Sequence, residues 1–475
     1  MTMNKEELMK LEKEEIIELL LAIIQQQAVK IAELEARLNQ NSKNSSKPPS
    51  SDGYKKPKSL RTPSGKKPGG QAGHEGNGLK LMNAPDEYIY HEPSQCAGCP
   101  RAAQCQTNQE TGETRYEIDI EIKPNIKSHQ IIHIECPLSG EELSGCFPEG
   151  INNTMQYGVN LKALAISLNT IGMVSVNRTH EILSGVFGIP ISTGTISAMV
   201  SGCAEKVAGT VDEIKETIKD EPVIHVDETG VRVNKQNVWA HTTSTSSLTY
   251  IEIQQSRGKK GMDAIGILLM YLGTAIHDCW ASYFLYASIR HGLCNAHLLR
   301  ELTAVLENTK QTWAQEMIEL LLTMKAVKEK FLLQKQYGPT PYFLKKFNLE
   351  YDKIIACALS QNPVPINDGT QKGRPKRGKT GALVDRLLLH KDKYMLFFVD
   401  FNVPFDNNQA ERDIRMFKVK LKVSGCFRSM DGARDFATIM SFVGTARKCG
   451  ISAFQAIKDA LLGCPFSISN VLSTE

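Results

Sequence analysis

Apolar residues at a seven-residue spacing mark the beginning of the chain, where positions 5–38 contain neither glycine nor proline. This spacing places the repeated side chains on one side of a helix and is typical of a coiled-coil seam. We predict a self-association helix over residues 1–40, with an amphipathic helix that packs on its own protein as the alternative. The repeated positions form two interleaved series: Ile17, Ile24, Ile31 and Leu38, and Leu20, Gln27 and Leu34.

The apolar pattern stops at residues 41–80, which are rich in serine, proline, glycine and lysine and poor in large apolar side chains. Such a composition cannot bury a hydrophobic core. Nine basic and two acidic residues give this segment a local charge of +7. We predict a disordered basic arm that contacts phosphates without reading sequence, and a solvated linker is the alternative.

Short β-like runs at 116–122 and 130–134 lie between cysteines in the next segment, 81–150. Two pairs of cysteines separated by strands are typical of a zinc ribbon, in which the metal replaces a core. Only the first pair is complete here, and Cys105 or Cys146 would have to complete the set. We predict a zinc-finger-like module with structural Zn²⁺, and a metal-free fold is the alternative. The candidate ligands are Cys96, Cys99, Cys136 and Cys146.

Residues 151–217 have a helical pattern with one interruption. Ser175 can cap a helix through Phe187, Gly188 can end it, and Ser192 can cap the next helix. We predict a helix-turn-helix-like DNA-binding segment, and an ordinary helical hairpin is the alternative.

Two short, mostly apolar runs further along the chain each end in an aspartate: 222–226 precede Asp227, and 273–277 precede Asp278. Runs of this length are typical of strands. We therefore expect both acids at strand ends, where side chains protrude into solvent. Taken alone, either acid could be an ordinary loop residue beside a sheet.

A third acid lies in a predicted helix that Asp406 or Asn407 can cap. Glu411 would share one face of that helix with Arg415 and Lys418, because residues four and seven positions apart lie on the same side. This carboxylate would then stand on a cationic stripe. An exposed helix with a weak Glu411–Arg415 pair is the alternative.

Five sequence segments together resemble the insertion-sequence-66 family of DDE transposases. The resemblance covers nearly the whole chain and follows the order of segments in that family. The most specific of the five is DNNQAER, with the basic run that follows it. The segments are NSKNSSKPPSSDG at 41–53, GGQAGHEG at 69–76, HVDETG at 225–230, DNNQAER at 406–412 and GCFRSMDGA at 425–433.

The resemblance implies a ribonuclease-H-like α/β core whose acidic triad is Asp227, Asp278 and Glu411. It also implies two Mg²⁺ or Mn²⁺ ions per active site. The residue types agree, because carboxylate oxygens are the ligands that these hard cations prefer. A soft metal site at the nearby His225, His277, Cys294 and His297 is the less favoured alternative.

We therefore expect a multidomain α+β protein. The predicted core consists of residues 218–300 and 385–475, the second part including the C-terminal helices. Residues 301–384 would form a helical insertion with a basic loop at 371–379, because 301–360 has the pattern of long helices. The coiled coil, basic arm, zinc-ribbon-like module and helix-turn-helix-like segment would precede this core.

Candidate DNA-binding residues lie in the basic loop and in the helix that contains Glu411. The asparagines among them could instead cap that helix. The candidates are Lys376, Arg377, Asn407, Asn408, Arg412, Arg415, Lys418 and Arg428.

Composition supports a folded, soluble protein: 475 residues are 41% hydrophobic and 23% charged, and no run of eighteen apolar residues occurs. We expect a cytoplasmic location, associated with the bacterial nucleoid when bound to DNA, and no membrane partner. The net charge of +4 conceals basic segments at 41–80, 371–380 and 411–428, which are offset mainly by a charge of −8 at 81–150.

The sequence thus predicts an enzyme, a DDE transposase of an insertion sequence. It would bind terminal inverted repeats and target DNA and would catalyse metal-dependent nicking and strand transfer. We expect a homo-oligomer, at least a dimer, which could also use accessory proteins of the same element. The alternative is a non-catalytic, dimeric, zinc-containing DNA-binding regulator derived from a transposase.

Overall fold

The computed structural model describes residues 12–45, 83–91, 93–94, 96, 99–105, 112–120, 123–364 and 377–472. Most of the predicted basic arm and of the predicted basic loop, including Lys376, lies outside the described residues. The chain divides into two units. One contains residues 1–57 and 128–475, and the other contains residues 58–127.

The predicted N-terminal helix is present as α1 (Lys13–Leu38). It begins with a reciprocal capping box, in which Glu12 accepts from the backbone at Glu15 and the Glu15 side chain accepts from the Glu12 N–H. The apolar residues of the seven-residue series are largely exposed, as shown by Ile24 at 60%. Self-association through this face stays a prediction.

The unit 58–127 contains a short 3₁₀ turn (Ala102–Gln104). The prediction of a strand at 116–122 is wrong for the described residues of that run, because residues 116–120 form no strand. In the other unit, β1 (His133–Glu135) pairs antiparallel with β2 (Glu142–Ser144), so the second expected run becomes one strand of a small hairpin. Since the four candidate zinc ligands are divided between the two units, the zinc module stays a prediction.

Three helices follow the hairpin: α2 (Val159–Thr170), α3 (Val176–Gly185) and α4 (Thr193–Lys219). Both predicted caps are confirmed. Ser175 Oγ accepts from the Arg178 N–H at 3.3 Å, and Ser192 Oγ accepts from the Thr195 N–H at 3.0 Å. Helix α3 ends two residues earlier than predicted, ahead of Gly188, which has a φ of +64°.

A five-stranded mixed sheet occupies the centre of the larger unit, in the order β5-β4-β3-β6-β7. The first three strands of that order are antiparallel, and β3, β6 and β7 are parallel. Two short helices, α5 (Lys259–Ile265) and α6 (Ile267–Met270), connect β5 to β6. The strands are β3 (Val223–Val233), β4 (Gln236–Ser244), β5 (Thr249–Gln254), β6 (Thr274–His277) and β7 (Arg290–Leu293).

The position of Asp227 differs from the expectation of a strand end. β3 continues through it to Val233, because the hairpin with β4 pairs every residue from His225 to Val233. Asp227 therefore lies in the middle of an eleven-residue strand. The expectation for Asp278 is confirmed, since this residue directly follows β6.

The long helices expected after the first aspartates are present. They are α7 (Asn295–Thr309), α8 (Thr312–Leu333), α9 (Pro341–Gln361), α10 (Gly378–Leu389) and α11 (Lys391–Val399). Four more described helices complete the chain: α12 (Asn408–Ser424), α13 (Met430–Lys448), α14 (Ala453–Leu461) and α15 (Ile468–Leu472). None of the helices in the described ranges is long and apolar enough to cross a membrane.

Separate apolar clusters hold these layers together. One contains Ile214 of α4, Ile224 of β3 and Phe442 of α13, so that α4 and α13 pack against the sheet. Another lies within α7–α11 and includes Ile276 and Leu293, which join this helical layer to β6 and β7. β6 contributes Ala275 to the first cluster and Ile276 to the second, so Asp278 directly follows a strand that is packed on both faces.

Candidate active site

The pairing of β3 with β6 brings the two candidate aspartates side by side. These strands are parallel, with Val223 opposite Thr274 and His225 opposite Ile276. This pairing ends at His225 and Ile276, two residues before each aspartate, so Asp227 and Asp278 both lie just beyond the paired segment. The charge of Asp278 raises the pKa of Asp227, so the two carboxylates interact.

Asn407 attaches the beginning of α12 to β3 beside Asp227. Its side-chain amide donates to the Val226 carbonyl oxygen at 2.8 Å, and its Oδ1 lies 2.9 Å from His225 Nδ1. Asn407 is 2% exposed and makes no side-chain capping bond. This residue is therefore a buried tether between strand and helix, and it is not available to contact DNA or to cap α12.

The other end of α12 is also attached to β3. The Phe427 N–H donates to the Arg232 carbonyl oxygen, and the Asn234 N–H donates to the Phe427 carbonyl oxygen, both at 2.9 Å. The GCFRSMDGA segment therefore forms this second attachment, after which Ser429 caps α13. Two attachments to the same strand fix the direction of α12 along β3.

Glu411 lies on the first turns of α12 and faces α7. Its Oε1 is 3.5 Å from His297 Nδ1 and 3.7 Å from Arg300 Nη2. The expected cationic stripe of Arg415 and Lys418 is exposed on α12, but the cation that pairs with Glu411 is Arg300 of α7. Glu411 is therefore positioned by a second helix.

The three candidate acids influence one another electrostatically. Burial raises the pKa of Asp227 well above its ordinary value, and the charges of Glu228, Glu411 and Asp278 raise this pKa further. Burial also raises the pKa of Asp278, with Glu228 adding to the effect. The pKa of Glu411 is raised by burial and by Asp406 and Asp278, while Arg300 opposes the rise. These shifts indicate a cluster of repelling carboxylates that favours cation binding.

The sequence analysis did not identify Glu228, a fourth acid beside the cluster. Its Oε1 accepts from Arg257 Nε and Nη2 at 2.9 and 2.8 Å, and its Oε2 accepts from the Tyr283 hydroxyl. The side chain of Glu228 is 2% exposed. Because Arg257 neutralises it, Glu228 is less suited to bind a cation than Asp227 or Asp278.

Arg257 also contacts two tryptophans next to the acids. Its guanidinium carbon lies 4.3 Å from the ring centroid of Trp280 and 5.0 Å from that of Trp239. The backbone N–H of Trp280 donates to Asp278 Oδ1 at 3.0 Å. The stack therefore adjoins Asp278, and the residues that compose it were not among the predicted site residues.

Asp413 is a further residue that sequence reasoning missed. Its Oδ2 accepts from Ser244 Oγ and from Lys448 Nζ, each at 2.7 Å. This buried ion pair joins α12 to β4 and α13. Asp413, which directly follows the DNNQAER segment, thus has a structural role. The neighbouring sequence does not predict this role, because the partners of Asp413 lie far away in the chain.

The histidines considered for a soft metal site separate into two groups. His225 contacts Asn407, and His277 Nε2 lies 2.9 Å from His291 Nδ1, so both have protein partners. Within the described ranges, the metal-ligating groups that lie within 4.8 Å of one another are those of Cys294, His297 and Glu411.

The predicted DNA contacts also differ in accessibility. Arg412, Arg415, Lys418 and Arg428 are exposed on or just after α12, and Asn408 is exposed at its first position. Arg377 is different: its side chain is 6% exposed, pairs with Asp385 and donates to the Asn362 carbonyl oxygen. Its guanidinium is therefore engaged in holding α10, and we exclude Arg377 from the candidate DNA surface.

Comparisons with known proteins assign a relationship to most of the larger unit. The family model described as Transposase IS66 family matches residues 154–435, more than half of the chain, including all three acids. A second model, described as a family of unknown function (DUF6444), matches residues 2–80. No curated protein matches the chain.

Proposed function

The chain belongs to the Transposase IS66 family, and we propose that it binds the terminal inverted repeats of its element and cleaves and joins DNA through Asp227, Asp278 and Glu411. The observation that carries this proposal is the approach of the three acids. Asp227 lies in β3, Asp278 directly follows the neighbouring parallel strand β6, and the charges of Asp227, Asp278 and Glu411 interact. These side chains come from segments up to 184 positions apart.

We also propose that the sheet and its flanking helices form a ribonuclease-H-like core. Three antiparallel strands followed by two parallel strands, in the order β5-β4-β3-β6-β7, support this assignment. The helices between β7 and α12 would be an insertion within that core. Their own apolar cluster supports this interpretation.

The donor atoms of the three acids fit the divalent cations that such an enzyme uses. Carboxylate oxygens suit Mg²⁺ or Mn²⁺, and Glu411 Oε1 is buried without a hydrogen-bond partner in the part of the chain that the structure describes. Asp227, Asp278 and Glu411 would hold the ions. When bound, a pair of such ions activates the attacking water or 3′-hydroxyl and stabilises the leaving oxygen.

The protein residues orient this site and limit its motion. Asp227 is held within a paired strand, Asp278 accepts from the Trp280 backbone, and Asn407 aligns α12 with Asp227. A fixed geometry of this kind lowers the entropic cost of aligning a phosphodiester with its nucleophile. The raised pKa values of the acids also mean that cation binding and deprotonation are coupled in the site.

The exposed cations of α12 would hold the DNA next to the acids. Arg412, Arg415 and Lys418 lie on the helix that contains Glu411, and Arg428 follows it. Each phosphate that such a side chain neutralises steepens the salt dependence of binding by about 0.9 in log-log slope. In this proposal α1 associates with a second copy of the chain, and the zinc-finger-like module stays a separate prediction.

The test is a nicking assay on a labelled duplex that carries the end of the element, with Mg²⁺ and with EDTA. Asp227→Asn should bind the duplex but not nick it. Asp431→Asn is the matched control, because Asp431 is an exposed acid at the beginning of α13. Nicking by Asp227→Asn would remove this residue from the catalytic set. Binding without Mg²⁺-dependent nicking by the natural protein would instead favour a DNA-binding regulator.

A further inference from the structure

The beginnings of α7 and α12 meet at a group of three different ligand types. Cys294 precedes α7, His297 lies on its first turn, and Glu411 faces them from α12. Their sulfur, nitrogen and oxygen ligand atoms all lie within 4.8 Å of one another. The distance between His297 Nδ1 and Glu411 Oε1 is 3.5 Å.

Two of these ligand atoms have unsatisfied hydrogen-bonding capacity. Both His297 Nδ1 and Glu411 Oε1 are buried, and neither has a hydrogen-bond partner among the described residues. Buried polar atoms are nearly always paired, so an unpaired nitrogen and oxygen that face each other require an explanation. A cation coordinated between them would satisfy both atoms.

The backbone around this group holds the ligands in place. The Cys294 N–H donates to the His277 carbonyl oxygen at 2.9 Å, and the Asn295 N–H donates to the Phe405 carbonyl oxygen at 3.1 Å. The Asn407 N–H donates to Cys294 Sγ at 3.2 Å. A backbone donor to sulfur stabilises a thiolate and orients it, as outer contacts of metal ligands do.

We propose that Cys294, His297 and Glu411 bind a thiophilic divalent cation of the Zn²⁺ type. One sulfur, one imidazole and one carboxylate ligand suit Zn²⁺ or Co²⁺ and do not suit Mg²⁺. The side chains of His297 and Glu411 are 31% and 32% exposed although their Nδ1 and Oε1 atoms are buried, so the group lies just below the surface. A water molecule would complete the four-coordinate set. Binding releases the thiol proton of Cys294 to the solvent.

This site would share Glu411 with the proposed catalytic site, a consequence that rests on the proposed function. A thiophilic cation would draw Glu411 toward α7, and Mg²⁺ would then lose one of its ligands. The cation would therefore inhibit DNA cleavage reversibly. Arg300 Nη2, 3.7 Å from the same oxygen, competes with the cation, so Arg300→Ala should tighten cation binding.

The site can be tested by titrating the full chain with Co²⁺ and recording thiolate charge-transfer and visible absorption. The natural protein should bind one more Co²⁺ per chain than either Cys294→Ser or His297→Gln. The His297→Gln variant covers the case in which replacing the buried Cys294 prevents folding. Cys464→Ser, which alters an exposed cysteine outside the group, should keep the full stoichiometry. Equal stoichiometry in the natural protein and both ligand variants would overturn the proposal.

Two further measurements separate this proposal from the proposed function. Asp227→Asn should still bind the equivalent of Co²⁺ that Cys294→Ser no longer binds, because Asp227 is not part of the group.

In the nicking assay, His297→Gln should raise the Zn²⁺ concentration for half-inhibition by at least about tenfold relative to the natural protein. If Co²⁺ binds to this group but Zn²⁺ does not inhibit nicking, the claim that Glu411 belongs to both the cation site and the catalytic site is wrong. Absence of Mg²⁺-dependent nicking would overturn the proposed function and leave the Co²⁺ result standing.

Discussion

The side-chain amide of Asn407 donates a hydrogen bond to the carbonyl oxygen of Val226, the residue before Asp227. This contact joins strand β3 to helix α12 across 181 positions of the chain. It positions the helix that contains Glu411 relative to the strand that contains Asp227. The contact is buried, so water does not compete for it.

Replacing Asn407 should therefore reduce catalysis more than DNA binding. Asn407→Ala removes the contacts to Val226 and His225, and we expect the single-turnover nicking rate to fall about a hundredfold, as for a displacement of about 1 Å in a catalytic group. The control is Asn402→Ala, at an exposed asparagine shortly before α12, which should change the rate little. Equal losses in the two variants would show that α12 is not aligned through Asn407.

The acidic cluster should lower the stability of the protein when cations are absent. The pKa of Asp227 is raised above its ordinary value of 3.8, so the unfolded chain loses this proton at a lower pH than the folded protein does. The contribution of protonated Asp227 to the free energy of unfolding is therefore complete below pH 3.8. It is lost as the pH rises through the pKa that Asp227 has in the folded protein. At neutral pH the unfolded chain holds this carboxylate ionised in water, whereas the folded protein must either bury the charge or take up a proton, so the group lowers the stability of the fold.

Asp227→Asn should accordingly unfold at a higher temperature than the natural protein at pH 7 in EDTA. We expect an increase of roughly 1–2 °C, which corresponds to about 1–2 kcal/mol for the larger unit of about 400 residues. The difference should disappear near pH 3, where both side chains are neutral. Mg²⁺ should raise the melting temperature of the natural protein more than that of the variant, as calorimetry can establish. A variant less stable than the natural protein at pH 7 would contradict this account.

Arg257 should control the pH dependence of cleavage through Glu228. Arg257→Gln leaves the charge of Glu228 uncompensated, and that charge raises the pKa of both Asp227 and Asp278. The loss of Arg257 also removes a cation that lowers the pKa of Asp278. The acid limb of the pH–rate profile should therefore move to higher pH. Lys259→Gln, which breaks a pair with Asp263, should leave that limb in place.

The exposed cations of α12 should contribute to DNA binding without reading sequence. Arg415→Gln should reduce the slope of log affinity against log salt by about 0.9, the value for one phosphate contact. It should weaken binding to element ends and to unrelated duplexes equally. Lys345→Gln, at an exposed position of α9, is the control. An unchanged slope for Arg415→Gln would place the DNA elsewhere.

The exposed face of α1 offers a matched test of self-association. Ile24 belongs to the seven-residue series, whereas Val29 lies outside it, and the two side chains are 60% and 58% exposed. Ile24→Glu should convert a dimer to a monomer in sedimentation experiments, because a charge in the seam opposes pairing. Val29→Glu should not. A monomeric natural protein, or equal effects of both substitutions, would contradict pairing through this face.

Local signals in the sequence were sufficient for several parts of this structure. The caps at Ser175 and Ser192 and the seven-residue pattern in α1 act within one or two helical turns, so they could be recognised without knowledge of the fold. The position of Asp278 at the end of a strand could also be predicted locally, from the short apolar run that precedes it. The identity of the three candidate acids came from residue type and family resemblance.

Contacts between distant segments decided the rest. Asp227 lies within a strand because pairing with β4 extends β3 past it, and the apolar run before Asp227 contains no information about that partner. Glu411 faces His297 and Arg300 because α7 packs beside α12, although the nearest cation in helical spacing is Arg415. Hydrogen bonding along a strand and packing between helices depend on residues that are far apart in sequence. The sequence alone therefore determined which side chains are available for chemistry, and only the tertiary structure decided which of them meet.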